Sequence, residues 1–343
     1  MMAGDIMRSE IEEIPSVFET ILSHVDEITG AADLVKSREI NSVLILARGT
    51  SDNAAHFLKY LIETQLGLPV GLTSASSVTI YNATLHFKNC LLVALSQSGQ
   101  SPDLVAYAQA AKNAGALLIS MTNSSESPLA KAADSHLSLH AGPELAVAAS
   151  KSYAAELFAS YLFVRGWQGE SHNADGLPAI VRKNLTVNLE EAIAQASLAN
   201  EIVILGRGFS YPNAREAALK IQETCKVSVQ GLSAADYLHG PISALTSKTQ
   251  VCLMTPAHNP SQAMQAAVDR VREAGAKIFW FGSGGAPESD EIVVGDSSIQ
   301  TTDEILASIA DAALLQRFAL ELCVKNGLDP DKPEGLTKVT LTR

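Results

Sequence analysis

Short unbroken apolar runs alternate along this chain with longer stretches in which apolar positions recur every three or four residues. Ser42–Ala47, Val70–Leu72, Leu91–Leu95 and Ala116–Met121 are runs of the first kind, read as strands. Asn53–Leu66, closed by Gly67, and Pro102–Ala114 carry the helical period between them. The order then returns: Glu201–Leu205, Pro212–Cys225, Val251–Thr255, Pro260–Ala274, Lys277–Phe281 and a long helix over Asp303–Asn326. Continuous apolar strands alternating with helices predict the α/β class, with parallel sheets covered by helices on both faces.

The return is a repeat of residues as well as of pattern. Leu44-Ile45-Leu46-Ala47-Arg48-Gly49-Thr50-Ser51 comes back as Val203-Ile204-Leu205-Gly206-Arg207-Gly208-Phe209-Ser210. Lys112-Asn113-Ala114-Gly115-Ala116 comes back as Arg272-Glu273-Ala274-Gly275-Ala276. The spacing from Arg48 to Arg207 and that from Gly115 to Gly275 differ by one residue, so a duplicated unit is expected. The expected organisation is two doubly wound parallel-sheet subdomains, residues 1–170 and 171–326, joined near Gly166–Leu177, and a tail over 327–343. In such sheets ligands bind beyond the carboxyl ends of the strands.

Composition narrows the partners. The net charge is −12, with no cluster of Lys or Arg, so nucleic acid is not expected. An apolar fraction of 47% against 18% charged residues is that of a globular protein with a large core. Residues 1–13 are polar and acidic with no apolar signal core, and no apolar run is long enough to span a membrane. A cytoplasmic protein without a membrane partner is expected. Cys90, Cys225, Cys252 and Cys323 are far apart and form no CxxC, which reads as reduced structural thiols.

The candidate chemistry starts where Leu91–Leu95 runs into Ser96-Gln97-Ser98-Gly99-Gln100-Ser101-Pro102. A strand, a hydroxyl-rich loop and a helix N-terminus form an anion site, because the first amides of a helix lack internal partners and its dipole is positive there. Gly49-Thr50-Ser51 lies at the same sheet edge. The plainer reading is that these residues only cap helices and make turns. The loop lacks the Gly-Lys-Ser/Thr ending of a P-loop and is not G-x-G-x-x-G, so neither nucleotide hydrolysis nor a dinucleotide is expected. Glu223 and Lys220 share a helix face, either as a surface ion pair or as a base with its positioning cation. His239 precedes Gly240-Pro241 at a turn, a place suited to proton transfer. His136 and His140 lie in a strand-like segment facing one side, but no third ligand completes a metal set, so no metal is expected. Lys338 sits in a tail that is either loose or folded down over a site.

These motifs, in order, resemble the sugar isomerase (SIS) family, and within it the isomerase half of glutamine–fructose-6-phosphate amidotransferases. The resemblance runs from Met7-Arg8-Ser9-Glu10-Ile11-Glu12-Glu13-Ile14-Pro15 through Gly49-Thr50-Ser51, Leu95–Gly99, Glu144–Lys151, Leu205–Gly208 and His239-Gly240-Pro241 to Leu336-Thr337-Lys338-Val339-Thr340. It implies that Ser96, Gln97, Ser98 and Ser101 hold a sugar phosphate, with Thr50 or Ser51 nearby and Ala148 and Ala149 along the sugar. It implies Glu223 as the base between C1 and C2, with Lys220 beside it. It further implies His239 as a ring-opening residue supplied across a homodimer, and Lys338 as a tail lysine closing over the open-chain sugar. Residue 2 is Met2 rather than the N-terminal cysteine of a glutaminase domain, and channelled ammonia is not expected. Ala149 replaces a hydroxyl of the family pattern, Ser101 a threonine and Gln222 a lysine.

The reaction implied needs no metal and no organic cofactor. Its substrate is a hexose 6-phosphate or amino-hexose 6-phosphate, and an isomerising aminosugar-6-phosphate deaminase is the leading expectation. A plain aldose–ketose isomerase, a fructosamine-6-phosphate deglycase and a phosphosugar-binding protein without turnover are the alternatives.

Overall fold

The computed structural model describes residues 2–199, 201–255, 262–282, 287–295, 303–336 and 338. Contacts divide the chain into two compact units, one of residues 16–144, 151–175 and 337–343, the other of residues 1–15, 145–150 and 176–336. Each holds one parallel five-stranded sheet.

The first sheet comprises β1 (Ser42–Leu46), β2 (Val70–Leu72), β3 (Cys90–Ser96), β4 (Leu117–Thr122) and β5 (Ser135–Ser138), in the order β2-β1-β3-β4-β5. β3 lies at the centre, with Leu92 paired to Leu44 on one side and to Leu118 on the other. All seven of its residues are buried, which is why its sequence is an unbroken apolar run. The helix Lys151–Gln168 is buried along Lys151–Val164 and so lacks an exposed polar stripe. It packs beside the helices Val25–Lys36 and Thr50–Gln65.

The second sheet comprises β6 (Glu201–Gly206), β7 (Ser228–Ser233), β8 (Gln250–Met254), β9 (Lys277–Phe281) and β10 (Ile292–Val294), in the order β10-β9-β8-β6-β7. Counted from the first strand of each copy, the two sheets have one strand order, which is the duplication expected from the sequence. The helices Tyr211–Cys225 and Glu304–Lys325 pack on each other, and the first also lies against β6 and β7. Gly231 permits that approach: a Cβ there would lie 2.4 Å from the Ala214 carbonyl oxygen of the helix.

Several expectations shift. β7 and β10 were absent from the sequence reading. β7 alternates exposed and buried positions at the sheet edge, and β10 has three residues, so neither offers a buried apolar run. The expected helix Pro260–Ala274 is observed from Gln262 to Glu273, and Pro260 lies outside the described residues. The apolar alternation Leu336–Leu341 also lies outside them, apart from Leu336 and Lys338. Residues 1–15, expected with the first sheet, belong to the unit of the second. The cause is a helix cap: the Ile6 and Met7 amides at the start of the helix Asp5–Glu12 donate to the two Asp331 carboxylate oxygens, each at 2.9 Å. All four cysteines are buried and free. Among the described residues no helix is long and apolar enough to cross a membrane.

One buried acid has a pH consequence. Asp311, on the Glu304–Lys325 helix, accepts at Oδ1 from Asn184 Nδ2 at 3.4 Å, while Oδ2 has no hydrogen-bond partner. Burial pushes its carboxyl up to about 7. Because the folded value lies above the unfolded one, the contribution to stability is complete below about pH 3.8 and is lost as pH rises through about 7. Denaturant unfolding should therefore show lower stability at pH 8 than at pH 5, by at most about 3 kcal/mol from this group. Asp311→Asn should flatten that slope, and an unchanged slope would remove Asp311 as its source.

Candidate active site

The phosphate candidate lies at the carboxyl edge of the first sheet. β1 and β3 are neighbours, with Leu46 opposite Ala94, so the Gly49-Thr50-Ser51 turn and the Ser96–Ser101 loop leave the sheet side by side. Ser96 Oγ accepts from the Gly99 amide at 3.1 Å, and Ser98 Oγ accepts from the Gln100 amide at 3.3 Å. Each hydroxyl thereby spends a lone pair and keeps its O–H proton to donate. Ser101 begins the helix Pro102–Asn113 in an extended conformation, and its side chain makes no cap bond.

Gly99 sets the loop's shape. It has φ 62°, and a Cβ there would lie 2.3 Å from Ser127 Oγ. The Gln97 carbonyl accepts from the Asn123 amide at 3.0 Å, and the Gly99 carbonyl from Leu129 at 3.2 Å. The loop is therefore fastened from behind by residues that follow β4. The loop carries the hydroxyls of Ser96, Ser98 and Ser101 and the Gln97 side chain beside the start of a helix, a set of donors that suits an anion.

Two details depart from the sequence reading. The Ser51 hydroxyl is buried and donates to Glu156 Oε1 at 2.7 Å, a contact within the helix packing. Thr50, by contrast, opens the helix Thr50–Gln65. The loop sequence has no cation of its own, yet Arg48 Nη2 lies 3.2 Å from Asp103 Oδ2 in the first turn after the loop. Arg48 is thus a charged residue at this edge to which the sequence reading gave no role. Its repeat partner Arg207 is 3.3 Å from Ser233 Oγ in the other unit.

Glu144 is the second residue without an assigned role. Its carboxylate is fully buried and caps the helix Lys151–Gln168 from eight residues upstream. It accepts from the Ser152 amide at 3.0 Å and from Ser152 Oγ at 2.7 Å. Lys338 Nζ donates to the same carboxylate at 3.2 Å. The tail lysine is thereby fastened to the head of a helix in the first-sheet unit. In the sequence, the run Glu144–Lys151 of the family resemblance is the signal for it. Ala148 and Ala149 fall in the segment 145–150, which belongs to the unit of the second sheet. There the Leu145 and Ala146 amides are held by the Glu10 carboxylate, and the Ser150 carbonyl accepts from Gln316 Nε2 at 2.8 Å.

The acid–base candidates lie in the second-sheet unit. Lys220 is 1% exposed, so its pair with Glu223 is not a surface ion pair. Its Nζ is 2.6 Å from Glu223 Oε2 and 3.5 Å from Glu216 Oε1, on one face of the helix Tyr211–Cys225. Glu216 is buried with it, whereas the Glu223 side chain is 25% exposed. A buried ammonium thus fixes the direction of a carboxylate whose other side is open. His239 ends the short helix Ala234–Leu238, is exposed, and makes no ring hydrogen bond among the described residues. Its amide donates to the Asp236 carbonyl at 3.1 Å. No hydrogen bond joins His239 to Glu223 or Lys220.

The comparisons agree with this architecture. A curated relative, glutamine–fructose-6-phosphate aminotransferase (isomerizing) from Methanothermobacter thermautotrophicus, is 30% identical over 341 residues, covering 97% of this chain and 56% of its own. The chain therefore spans about half the length of that relative. Among solved structures, a protein assigned as a phosphosugar isomerase from Silicibacter pomeroyi superposes with a TM-score of 0.82 at 29% identity, over 96% of this chain and 100% of that one. The C-terminal domain of glucosamine–fructose-6-phosphate aminotransferase from Francisella tularensis gives a TM-score of 0.81 over 94% of this chain and 97% of its own, and at 22% identity it shows the fold alone. The SIS domain model matches residues 37–165 and 197–284, one segment around each sheet, and the chain belongs to the SIS domain family.

Proposed function

We propose that this protein is a phosphosugar isomerase that moves a proton between C1 and C2 of a hexose 6-phosphate, and that with an amino-hexose 6-phosphate it acts as an isomerising deaminase. The observation that carries the reading is the buried Lys220 between Glu216 and Glu223, which holds one half-open carboxylate in a fixed direction. The Ser96–Ser101 loop supports the phosphate end.

In this reading the hydroxyls of Ser96, Ser98 and Ser101, with Gln97 and Thr50, grip the phosphate. The binding energy at that remote end orients C1 and C2. His239, exposed on its turn, opens the sugar ring across a homodimer. Glu223 takes the proton from C2 of the open-chain aldose and returns it at C1, while Lys220 keeps the carboxylate in position. With glucosamine 6-phosphate the same shift leaves an imine at C2. Water adds to it, and fructose 6-phosphate and ammonia leave. Lys338, positioned by its contact with Glu144, acts on the open-chain sugar. Ala148 and Ala149 line the sugar.

The test is a panel of glucose, fructose, glucosamine and fructosamine 6-phosphates, read for ammonia and for aldose–ketose conversion. Ammonia and fructose 6-phosphate in equal amounts from glucosamine 6-phosphate is the expected result. Conversion without ammonia would replace the deaminase by a plain isomerase. No conversion of any member would overturn the reading.

A further inference from the structure

We propose that His24, Glu27 and His140 form a binding site for one divalent transition metal ion of the zinc class. The site lies where the helix Val25–Lys36 begins and where the chain leaves β5, within the first-sheet unit. The ligand atoms of the three side chains lie within 4.8 Å of one another. The two imidazoles stack, with centroids 4.2 Å apart and planes 23° from parallel, so the rings are adjacent, and a rotation of one exposed side chain out of the stack is needed for both nitrogens to meet one ion in their ring planes. His140 Nε2 is 3.1 Å from Glu27 Oε2. Two imidazole nitrogens and one carboxylate oxygen are a donor set that zinc takes when one position is left to water.

The hydrogen bonds behind the cluster have the form of a metal site's supporting shell. His24 Nδ1 is 2.9 Å from the Thr20 carbonyl oxygen, which can only accept. Ser23 Oγ, 3.0 Å from the same nitrogen, donates to the Thr20 carbonyl at 2.7 Å, so a ring proton on Nδ1 satisfies both contacts and leaves the lone pair on Nε2, the state a ligating histidine needs. His140 has φ 47°, a left-handed backbone that turns it out of the strand. The turn is held from both sides. The His140 amide donates to Ser138 Oγ at 3.3 Å, and the Ala141 amide donates to Asn123 Oδ1 at 2.9 Å. Glu27 lies in the first turn of its helix, so the carboxylate is presented from a rigid element.

The sequence pointed at a different pair. His136 and His140 were expected on one side of a strand, but β5 ends at Ser138 and the left-handed turn separates them. His136 Nε2 lies 2.9 Å from Thr122 Oγ1, and burial lowers the pKa of its imidazole. The real neighbours of His140 are 113 residues away at Glu27, and at His24 beside it.

An ion here would tie the head of the Val25–Lys36 helix to the segment after β5. Asn123, which holds that segment at Ala141, also donates its amide to Gln97 in the serine loop. The site is thus one residue removed from the candidate phosphate cradle, while sharing no side chain with it.

The experiment is titration of the full chain, first stripped with chelator, with zinc chloride by calorimetry and with Co²⁺ by visible absorption. One ion per chain is expected, with a cobalt spectrum and a rise in Tm on adding zinc. His24→Ala and His140→Ala should each weaken binding by at least about 10²-fold and abolish the Tm rise. His136→Ala should bind as the parent does. Glu27→Gln, which preserves a hydrogen bond to His140 but not the charge, should also weaken binding, and an unchanged Tm without metal shows that it folds. Absence of binding by the parent chain at about 0.1 mM zinc, far above the range of structural sites, overturns the proposal. Parental affinity retained in either His24→Ala or His140→Ala overturns it as well.

Discussion

Glu223→Gln is expected to lower phosphosugar turnover by about 10²–10⁴-fold, the range for loss of a positioned general base. The change is nearly isosteric. The amide oxygen can still accept from Lys220 Nζ, now 2.6 Å from Glu223 Oε2, and the side chain is 25% exposed, so the helix tolerates the swap. KM should change little, because in the proposed reading the phosphate end is held by Ser96, Ser98 and Ser101. The sharper readout is exchange of the C2 proton in deuterated water, followed by NMR. It should disappear in the variant even where substrate binding persists. Turnover within a few-fold of the parent would remove Glu223 from its role.

Lys220→Met should give the largest loss of stability, about 3–5 kcal/mol, the range for removing one partner of a buried ion pair. Methionine fills most of the volume but leaves the buried Glu216 carboxylate without the ammonium that lies 3.5 Å away. It also frees Glu223 to turn, so activity falls with stability. Adding Glu216→Gln to Lys220→Met should recover a good part of the stability but none of the activity, since in the proposed reading Glu223 is the proton-transfer base and stays without its positioning cation. Urea unfolding of the two single variants and the double variant separates these effects. A Lys220→Met midpoint equal to that of the parent would show that the ion pair is not a stabilising element.

The serine loop was legible in the sequence because its signals are adjacent: an apolar strand, hydroxyls around one glycine, a proline in the first helical turn. Gly99 needed the structure to explain it, since its obstacle is Ser127, which comes from the turn after β4. Lys220 and Glu223 were legible as neighbours on a helix face, but helical spacing is the same for an exposed pair and a buried one. The tertiary packing around the helix Tyr211–Cys225 decided which it is, leaving Lys220 1% exposed. Ser51 shows the opposite outcome: its hydroxyl is turned to Glu156 on a neighbouring helix.

Local periodicity alone determined the α/β class, the duplicated order of strands and helices, and the sheet edge that carries the loops. A strand buried on both faces and an amphipathic helix each leave their mark within a few consecutive residues. Edge strands such as β7 and β10 leave a weaker mark, being short or exposed on one side. Tertiary structure decided which distant polar groups meet: Glu144 with Lys338, 194 residues away, His140 with Glu27, and Asp331 with the amides of Ile6 and Met7. Such pairs depend on the path of the chain between them, and a buried charge selects its partner only once that path has brought the two within hydrogen-bond reach.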